Sequence, residues 1–143
     1  MLIKMLPEQV TSGWDVIAPM LAQSLPPTIG NNPVIMANIL TAVLTETADV
    51  WVHLDDKGMY TAVILTTIML DPIMNIRMLL IYCLYGLQPI EDPMWDDGID
   101  SLRRYAKARG CHNVIAYTSF KHVKDVMEKR GVDVTNTLLN IGV

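Results

Sequence analysis

The sequence is poor in charge, in phenylalanine and in cysteine, and each shortage excludes a class of protein. Charged residues make up 18% of the 143 residues and hydrophobic residues 51%, which excludes a disordered polar tail because the apolar surface is ample to drive collapse. Two cysteines are too few for a disulfide-stapled scaffold and fit a reducing compartment. One Phe stands against ten Met, so we expect adaptable packing or an apolar surface that binds a partner.

Long apolar runs are also missing. The most apolar stretch, residues 61–86, is interrupted by Asp71 and Arg77, so neither half reaches the ~18–20 residues that cross a bilayer. Near the first residue, Pro7 and Glu8 stand where a secretory leader would continue as an apolar run. We therefore expect a cytoplasmic protein with no leader and no membrane partner.

The net charge of −4 is divided unevenly along the chain. Residues 1–100 carry 3 basic and 12 acidic side chains, whereas residues 101–143 carry 8 basic and 3 acidic ones. The basic patch at Arg103, Arg104 and Lys107 has almost none of the interleaved aromatic residues that nucleic-acid-binding surfaces carry, and the acidic chain as a whole repels polyanions. We expect solvated helix faces here and no nucleic acid partner.

The histidines predict no metal site. His53, His112 and His122 are too scattered along the sequence to define a ligand set. Cys111 directly precedes His112, but neighbours on an extended segment point in opposite directions. The sequence also has no nucleophile elbow, phosphate-binding loop or dinucleotide fingerprint, so we expect no bound metal and none of those chemistries.

The chain opens with an extended segment and two helices. The extended segment, Leu2–Leu6, precedes a helix that Thr11 or Ser12 can cap. A break rich in turn formers, Ser24–Asn32, separates it from a second helix that begins near Pro33, since proline is favourable in a first turn. The first helix has its apolar face at Trp14, Ile17, Ala18 and Leu21.

Strand-like sequence follows the second helix. Asp49–Leu54 is a predicted strand, and residues 55–58 form a hairpin turn whose glycine can adopt a positive φ. Met59–Leu70 is a long strand rich in Val, Ile and Thr. A turn at Asp71–Asn75 leads to a third strand at Ile76–Leu84. The pattern predicts a meander of three antiparallel strands.

A loop and a charged helix come next. The predicted loop, Gly86–Trp95, contains two prolines. The predicted helix begins at Asp96, Asp97 or Asp100, because a carboxylate at that position caps a helix, and it ends at Gly110. Its apolar residues point inward and its arginines and lysines point outward.

The last part of the chain alternates strand, helix and strand. Asn113–Tyr117 is a predicted buried strand that lies parallel to Ile76–Leu84, because a right-handed crossover helix connects the two. Ser119 caps a final helix that ends at Gly131, and Val132–Val143 is a predicted closing strand. We expect one α+β domain over residues 1–143, with a mixed, mostly antiparallel sheet flanked by about four helices in the order β-α-α-β-β-β-α-β-α-β.

This element order resembles the GNAT superfamily of acyl-CoA-dependent N-acetyltransferases. The likeness is carried by residues 50–58, by residues 102–110 (LRRYAKARG) and by residues 127–132, which are similar to the closing helix-to-strand signature of the family. In length the chain is also similar to compact phage-encoded proteins of this fold, some of them internal virion components. The resemblance implies a GNAT-like domain and, for an active member, transfer of an acetyl group from acetyl-CoA.

In the family, the pyrophosphate of acetyl-CoA lies at the start of the helix after the fourth strand. The family motif there is Gln/Arg-x-x-Gly-x-Gly/Ala, whose glycines let backbone N–H groups approach the phosphates. Counted back from Leu102, the first motif position is Met94, and the two glycine positions are Asp97 and Ile99. The candidate cofactor-binding residues are therefore Trp95, Asp97, Gly98 and Ile99, in a degenerate loop.

Three carboxylates crowd this candidate phosphate site: Asp96, Asp97 and Asp100. At ~4–6 Å each one repels a phosphate by on the order of 1–3 kcal/mol, which outweighs a helix-dipole attraction of ~0.3–1 kcal/mol. The sequence therefore predicts that the phosphate cradle is missing and that the chain binds no cofactor.

The catalytic positions of the family are also altered. The position of the tyrosine that protonates the departing thiolate is Met127, and the usual asparagine position is Phe120. The strand Ile76–Leu84 contains no carboxylate to act as a base. If the protein is active, Tyr85 as the acid and Cys83 as a thiol in the cleft are the candidates; otherwise both belong to the core or its rim.

Two classes of function remain open. One is a GNAT-like protein without catalysis that acts through a protein partner or a second copy, as an adaptor or as a virion or assembly component, possibly encoded by a phage. Its location is then the cytoplasm, or a virion. The other is an acetyl-CoA-dependent N-acyltransferase in which residues 86–95 rearrange to bind the cofactor.

Overall fold

The computed structural model describes residues 1–25 and 32–143. In these ranges the helices and strands follow the predicted order as far as the last helix, except that three helices, and not two, lie between the first two strands. They are β1 (Leu2–Lys4), α1 (Pro7–Ser12), α2 (Trp14–Ser24), α3 (Pro33–Leu44), β2 (Ala48–Leu54), β3 (Tyr60–Asp71), β4 (Ile76–Gly86), α4 (Asp92–Ala108), β5 (Asn113–Ala116) and α5 (Lys121–Glu128).

The strands form one mixed sheet in the order β1-β2-β3-β4-β5. Strands β1 to β4 are antiparallel neighbours, whereas β4 and β5 are parallel, with Met78 opposite Asn113 and Ile81 opposite Ala116. Helix α4 makes the crossover that a parallel pair requires. The predicted α+β class, the antiparallel meander and the parallel step are confirmed.

The helices cover the sheet from both faces. Alternate residues of a strand point to opposite faces, so on β2 the side chains of Val50 and Val52 pack in the α1–α3 layer and that of Trp51 packs under α4. In the α1–α3 layer Ile17 and Leu21 are fully buried. The core of the α4 layer consists of Leu2, Trp51, Ile64, Leu79, Leu102 and Ala106.

Strand β4 contains a bulge near its middle. Leu65 lies opposite Cys83 but Thr66 lies opposite Ile81, so Tyr82 is the extra residue. The pairing of β4 with β5 also ends at Ile81. Beyond that point β4 continues to Gly86 beside β3 alone, among the strands of the described ranges.

The first predicted helix is in fact two helices, α1 and α2. Pro7 is the first residue of α1, and Gly13 separates the two helices. A β-carbon added to Gly13 would lie 3.3 Å from both the Gln9 carbonyl oxygen and the Ile17 side chain, so glycine suits this close approach. Helix α3 begins at Pro33 as predicted, with the Asn32 side chain accepting the Ile35 N–H at 3.0 Å. Most of the predicted break before it, residues 26–31, lies outside the described residues.

The predicted closing strand, Val132–Val143, is wrong. The structure has no strand there, and every residue from Thr135 onward is exposed. Val, Thr, Leu and Ile give this segment a strand-like composition, but a strand needs a hydrogen-bonded neighbour, and in the structure no strand pairs with it. None of the helices in the described ranges is long and apolar enough to span a membrane.

Candidate functional site

The candidate cofactor residues lie inside a helix and not in a loop. Helix α4 begins at Asp92, with Glu91 as its N-cap, so residues 95–99 occupy its first two turns. The predicted start at Asp96 or later is therefore wrong. Pro93 lies in the first turn of α4, where the missing N–H has no helical partner to lose, and not in the predicted loop.

The loop that does precede α4, residues 87–91, folds tightly. A β-carbon added to Gly86 would lie 3.1 Å from the Gln88 carbonyl oxygen and 3.2 Å from the Ile90 side chain. At the start of the loop, the Leu87 N–H donates to the carbonyl oxygen of Thr61 on β3 at 2.9 Å. The backbone N–H of Leu87 is thus already bonded, and little open space remains beside Gly86.

The first turn of α4 is short of free N–H donors. Pro93 has none, as is also true of Pro89 in the loop. The N–H groups of Met94 and Trp95 both donate to the carbonyl oxygen of Glu91, at 3.0 and 3.1 Å. A phosphate held at a helix N-terminus needs several N–H groups aimed at one point, and this turn supplies no such run.

Arg130, two residues after the end of α5, lies against the acidic side chains of the first turn of α4. The Arg130 guanidinium donates to a carboxylate oxygen of Asp96 at 2.7 Å and to one of Asp92 at 3.1 Å. It also donates to the Val126 carbonyl oxygen at 3.0 Å, and its side chain is only 17% exposed. The bonds to Asp96 and Asp92 raise the pKa of Arg130 above its ordinary value. We call this Arg130–Asp92–Asp96 arrangement the arginine clamp.

The other carboxylates of α4 also have partners. Asp97 accepts the backbone N–H of Leu2 at 3.1 Å and so ties β1 to α4. Asp100 lies 3.8 Å from the Arg103 guanidinium, one turn along the helix. Both carboxylates lie inside α4, past its first turn, and neither caps the helix as predicted. The partner of Asp97 lies 95 residues away in the sequence, and the partner of Asp96 lies 34 residues away. A local sequence pattern could therefore not identify these partners.

Trp95, Gly98 and Ile99 have different environments. Trp95 is buried, at 8% exposure, and its indole Nε1 has no hydrogen-bond partner in the described part of the chain. No close contact requires a glycine at position 98, since a β-carbon added to Gly98 would meet nothing within 4 Å. Ile99 is half-buried on the same helix.

The candidate catalytic residues Cys83 and Tyr85 lie on the other face of the sheet. Both pack in the α1–α3 layer, Cys83 fully and Tyr85 in part. Burial raises the pKa of the Cys83 thiol to about 11, so it stays protonated at neutral pH. The structure therefore does not bring these two side chains together with those of the first turns of α4.

A second polar cluster, which the sequence analysis missed, lies at the other end of α4. The Tyr105 hydroxyl donates to Asp49 at 2.6 Å, and the Lys4 ammonium lies 3.2 Å from the same carboxylate. Burial and the Asp49 carboxylate together raise the pKa of Tyr105 to about 12. The cluster borders an open groove of about 460 Å³ that Arg77 and Arg109 also line. No group of three or more His, Cys, Asp or Glu suited to a metal ion occurs among the described residues.

Comparison with solved structures identifies the fold. The aminoglycoside acetyltransferase AAC(6')-Iy, solved with a CoA bisubstrate analogue, superposes with a TM-score of 0.76 at 13% identity, over 100% of this chain and 97% of that one. A predicted acetyltransferase from Clostridium acetobutylicum, solved with acetyl-CoA, gives 0.71 at 15% identity, over 99% and 95%. The chain has the GNAT acetyltransferase fold.

A third structure of this fold is similar over its full length. The ribosomal-protein-alanine N-acetyltransferase of Brucella melitensis biovar Abortus gives a TM-score of 0.70 at 12% identity, over 100% of this chain and 99% of that one. No protein-family model matches the sequence, and no curated protein matches it by sequence. At such low identity the GNAT fold is shared, whereas activity depends on the residues of the site.

Proposed function

We propose that this GNAT-fold protein does not use acetyl-CoA and instead acts through contacts with other proteins. The observation that carries the proposal is the first turn of α4, where Pro93 supplies no N–H and Met94 and Trp95 donate to Glu91. In the GNAT resemblance this turn is the seat of the cofactor pyrophosphate. The residues present here do not fit that group.

Charge at this turn adds to the poor fit. Glu91, Asp92 and Asp96 carry three negative charges, and Arg130 supplies one positive charge, so a phosphate meets a net charge of about −2. To reach Arg130, a phosphate would have to displace the two carboxylates that already bind it. The arginine clamp therefore stabilises the contact between α4 and α5 in place of a ligand.

The proton-transfer groups give no support to catalysis. The Cys83 thiol is neutral at pH 7, and both it and Tyr85 pack in the layer opposite α4. Met127, at the position of the family's tyrosine acid, is half-buried and has no ionisable proton.

Exposed apolar side chains support a role in protein contacts. Ile73 and Met74 at the turn between β3 and β4 are 91% and 67% exposed, and Leu139 and Ile141 after α5 are 79% and 84% exposed. Each of these two segments exposes two large apolar side chains, and contiguous exposed apolar surface marks protein–protein contact sites. The narrower role of an adaptor, or of a virion or assembly component encoded by a phage, stays a prediction, as does the cytoplasmic or virion location.

Two features favour the alternative, an acetyl-CoA-dependent N-acyltransferase with a rearranged loop. Past Ile81, β4 has no hydrogen bonds to β5, so the two parallel strands separate on the side where α4 begins. The partnerless indole Nε1 of Trp95 lies on the first turn of that helix. A rearranged loop over residues 87–91 would be needed to supply the missing N–H donors.

Calorimetric titration of the full chain with acetyl-CoA tests the proposal. We expect no saturable heat at ligand concentrations up to ~1 mM and no rise in the melting temperature. The Clostridium acetobutylicum structure contains acetyl-CoA, so that protein is the positive control. Saturable binding with a Kd below ~1 mM would refute the proposal and favour the acyltransferase, since ligand at 100 times the Kd adds about 2.7 kcal/mol of stability.

A further inference from the structure

We propose that the groove beside the C-terminal end of α4 binds an extended peptide segment of another protein, one that carries an acidic side chain between large apolar ones. We call this surface the hairpin groove. It is lined by Ile68 and Leu70 of β3, by Arg77 of β4, and by Tyr105 and Arg109 at the end of α4. The inference rests on the proposed function, since it names the kind of partner segment through which the chain acts.

The hairpin groove exists because β3 extends past β2. Strand β2 begins at Ala48, opposite Thr67, so residues 68–71 of β3 have no strand beside them on that side within the described ranges. Leu70 and Arg77 are cross-strand neighbours beyond this point, and both are exposed because α4 does not cover them. An extended chain can lie along this uncovered part of the sheet.

Two arginines at the groove have no acidic partner. None of the six ion pairs of the described ranges involves Arg77 or Arg109. The Arg109 guanidinium lies over the Tyr105 ring, 5.7 Å from its centroid, a contact that uses none of its N–H donors. The main chain of Arg77 is held in place, since its carbonyl oxygen accepts the His112 N–H at 2.7 Å. A carboxylate is the acceptor that matches guanidinium donors of this kind.

The charge balance at the groove favours a ligand group with a single negative charge. Asp49 already accepts the Tyr105 hydroxyl at 2.6 Å and lies 3.2 Å from the Lys4 ammonium. The other acidic side chain at the groove is Glu46. Three basic side chains, Lys4 and the two arginines, therefore stand against two acidic ones, which leaves a net charge of +1 on a chain whose total is −4. The carboxylate of one acidic side chain neutralises this surplus.

Apolar side chains next to the arginines indicate a peptide and not a free anion. Leu70 is 59% exposed, and at the adjoining β3–β4 turn Ile73 and Met74 are 91% and 67% exposed. A free anion would leave these side chains in water, whereas a peptide with apolar residues on both sides of its acidic residue would cover them. Arginines beside exposed apolar side chains are also typical of protein–protein interfaces.

An NMR titration of the ¹⁵N-labelled full chain with a synthetic peptide tests the proposal. The probe is acetyl-Thr-Leu-Thr-Glu-Thr-Leu-Thr-amide, in which Leu, Glu and Leu lie on one face of an extended chain. We expect saturable shifts in the amides of residues 67–78 and 104–110, with a Kd of about 1 mM or below. The same peptide with Gln in place of Glu should bind about fivefold more weakly, because it lacks the charge. No saturable shift, or equal binding of the two peptides, would overturn the proposal.

Variants of the arginines locate the contact. Arg77→Gln and Arg109→Gln should each weaken binding of the Glu peptide several-fold and should bring it close to the Gln peptide. Arg104→Gln is the matched control, since Arg104 is also an exposed arginine of α4 but does not line the groove. An equal loss of affinity in Arg104→Gln would show general attraction by charge and would refute the site. The amide spectrum of each variant without peptide shows that it is folded.

A second pair of variants tests the apolar part of the contact. Leu70→Thr should weaken the binding of both peptides several-fold, because it removes an apolar side chain from the groove. Met69→Thr is its control, since neighbouring residues of a strand point to opposite faces of the sheet and Met69 does not line the groove. If Leu70→Thr binds as tightly as Met69→Thr, the apolar side chains take no part and the proposal fails.

Two further measurements distinguish other occupants of the groove. If the groove amides shift between about 50 µM and about 500 µM chain without peptide, a second copy occupies the groove and the proposal is wrong. It is equally wrong if inorganic phosphate shifts these amides saturably and the peptide does not. The groove lies at the opposite end of α4 from the turn that contains Pro93. Peptide binding and acetyl-CoA binding are therefore measured separately, and a failure of this inference can be distinguished from a failure of the proposed function.

Discussion

At the scale of single residues, one buried hydrogen bond links the two central strands under α4. The Trp51 indole Nε1 donates to the Thr66 hydroxyl at 2.9 Å, and the two residues are 5% and 0% exposed. The Trp51 ring meets Tyr105 edge to face, with 5.0 Å between ring centroids. A buried indole N–H without an acceptor costs the free energy of its desolvation.

Replacing Thr66 isolates that cost. Thr66→Val keeps the shape but removes the acceptor, so we expect the free energy of unfolding to fall by about 1–3 kcal/mol. Thr66→Ser keeps the hydroxyl and is the matched control, with a loss near the ~0.8 kcal/mol of one buried methyl group. Urea unfolding followed by far-UV circular dichroism measures both. Equal losses for Val and Ser would mean that the hydrogen bond contributes nothing.

The Cys83 thiol predicts a decline in stability at alkaline pH. Its pKa is raised by burial from 9.0 to about 11 in the folded state, whereas in the unfolded chain it returns to its ordinary value. Between these pH values the unfolded state loses its proton first, so stability is complete below pH ~9 and falls as pH rises towards about 11. Above about pH 11 the folded state has lost roughly 2–3 kcal/mol of its stability relative to pH 8 through this group.

Urea midpoints measured between pH 8 and pH 10 test this decline. Cys83→Ala should be less stable at pH 8 but should have a flatter pH dependence, because the titrating group is gone. Tyr105→Phe is the control, since the raised pKa of Tyr105 acts only above pH 10. An unchanged slope in Cys83→Ala would show that the thiol is not the group responsible.

At the scale of elements, the arginine clamp is the main polar link between α4 and α5. Arg130 contacts Asp92 and Asp96 on α4 and the Val126 carbonyl oxygen of α5. Val126 is the buried residue of α5, which has only eight residues. So short a helix is unstable alone and depends on tertiary contacts of this kind.

Arg130→Met removes the clamp but keeps most of the side-chain volume. We expect hydrogen exchange of the α5 amides to become several-fold faster, while that of β3 and β4 stays unchanged. Lys129→Met removes a neighbouring charge that has no such contacts in the described ranges, and it should leave exchange at the wild-type rate. Unaltered α5 exchange in Arg130→Met would contradict the role given to the clamp.

The elements also show what local sequence can predict. The β2–β3 hairpin was predicted because its turn needs a residue with positive φ, and Gly58 has a φ of +76°. The start of α4 was predicted four residues late, because a proline in a first turn has the same local pattern as a proline in a loop. The candidate carboxylates were recognised, but Arg130 was missed because its partners lie 34 and 38 residues away.

At the scale of the whole molecule, the fold is that of acetyltransferases, whereas the candidate site does not fit their cofactor. The structure superposes over its full length on acetyltransferases, some of them solved with CoA ligands. Yet in the first turn of α4 Pro93 has no N–H, the N–H groups of Met94 and Trp95 are bonded to Glu91, and the side chains are acidic. A fold persists through many small changes of sequence, whereas a phosphate site fails when a few donors are lost. This is why fold class could be predicted from the order of elements, and why function rests on individual residues.

The most direct test of the central claim observes those donors themselves. In an NMR titration of the ¹⁵N-labelled chain with acetyl-CoA, the signals to follow are the backbone amides of residues 87–95 and the Trp95 indole N–H. The absence of a phosphate cradle predicts that these resonances do not move in a saturable way up to ~1 mM ligand. Saturable shifts concentrated in residues 87–95 would show that α4 does bind the cofactor, and would contradict the account.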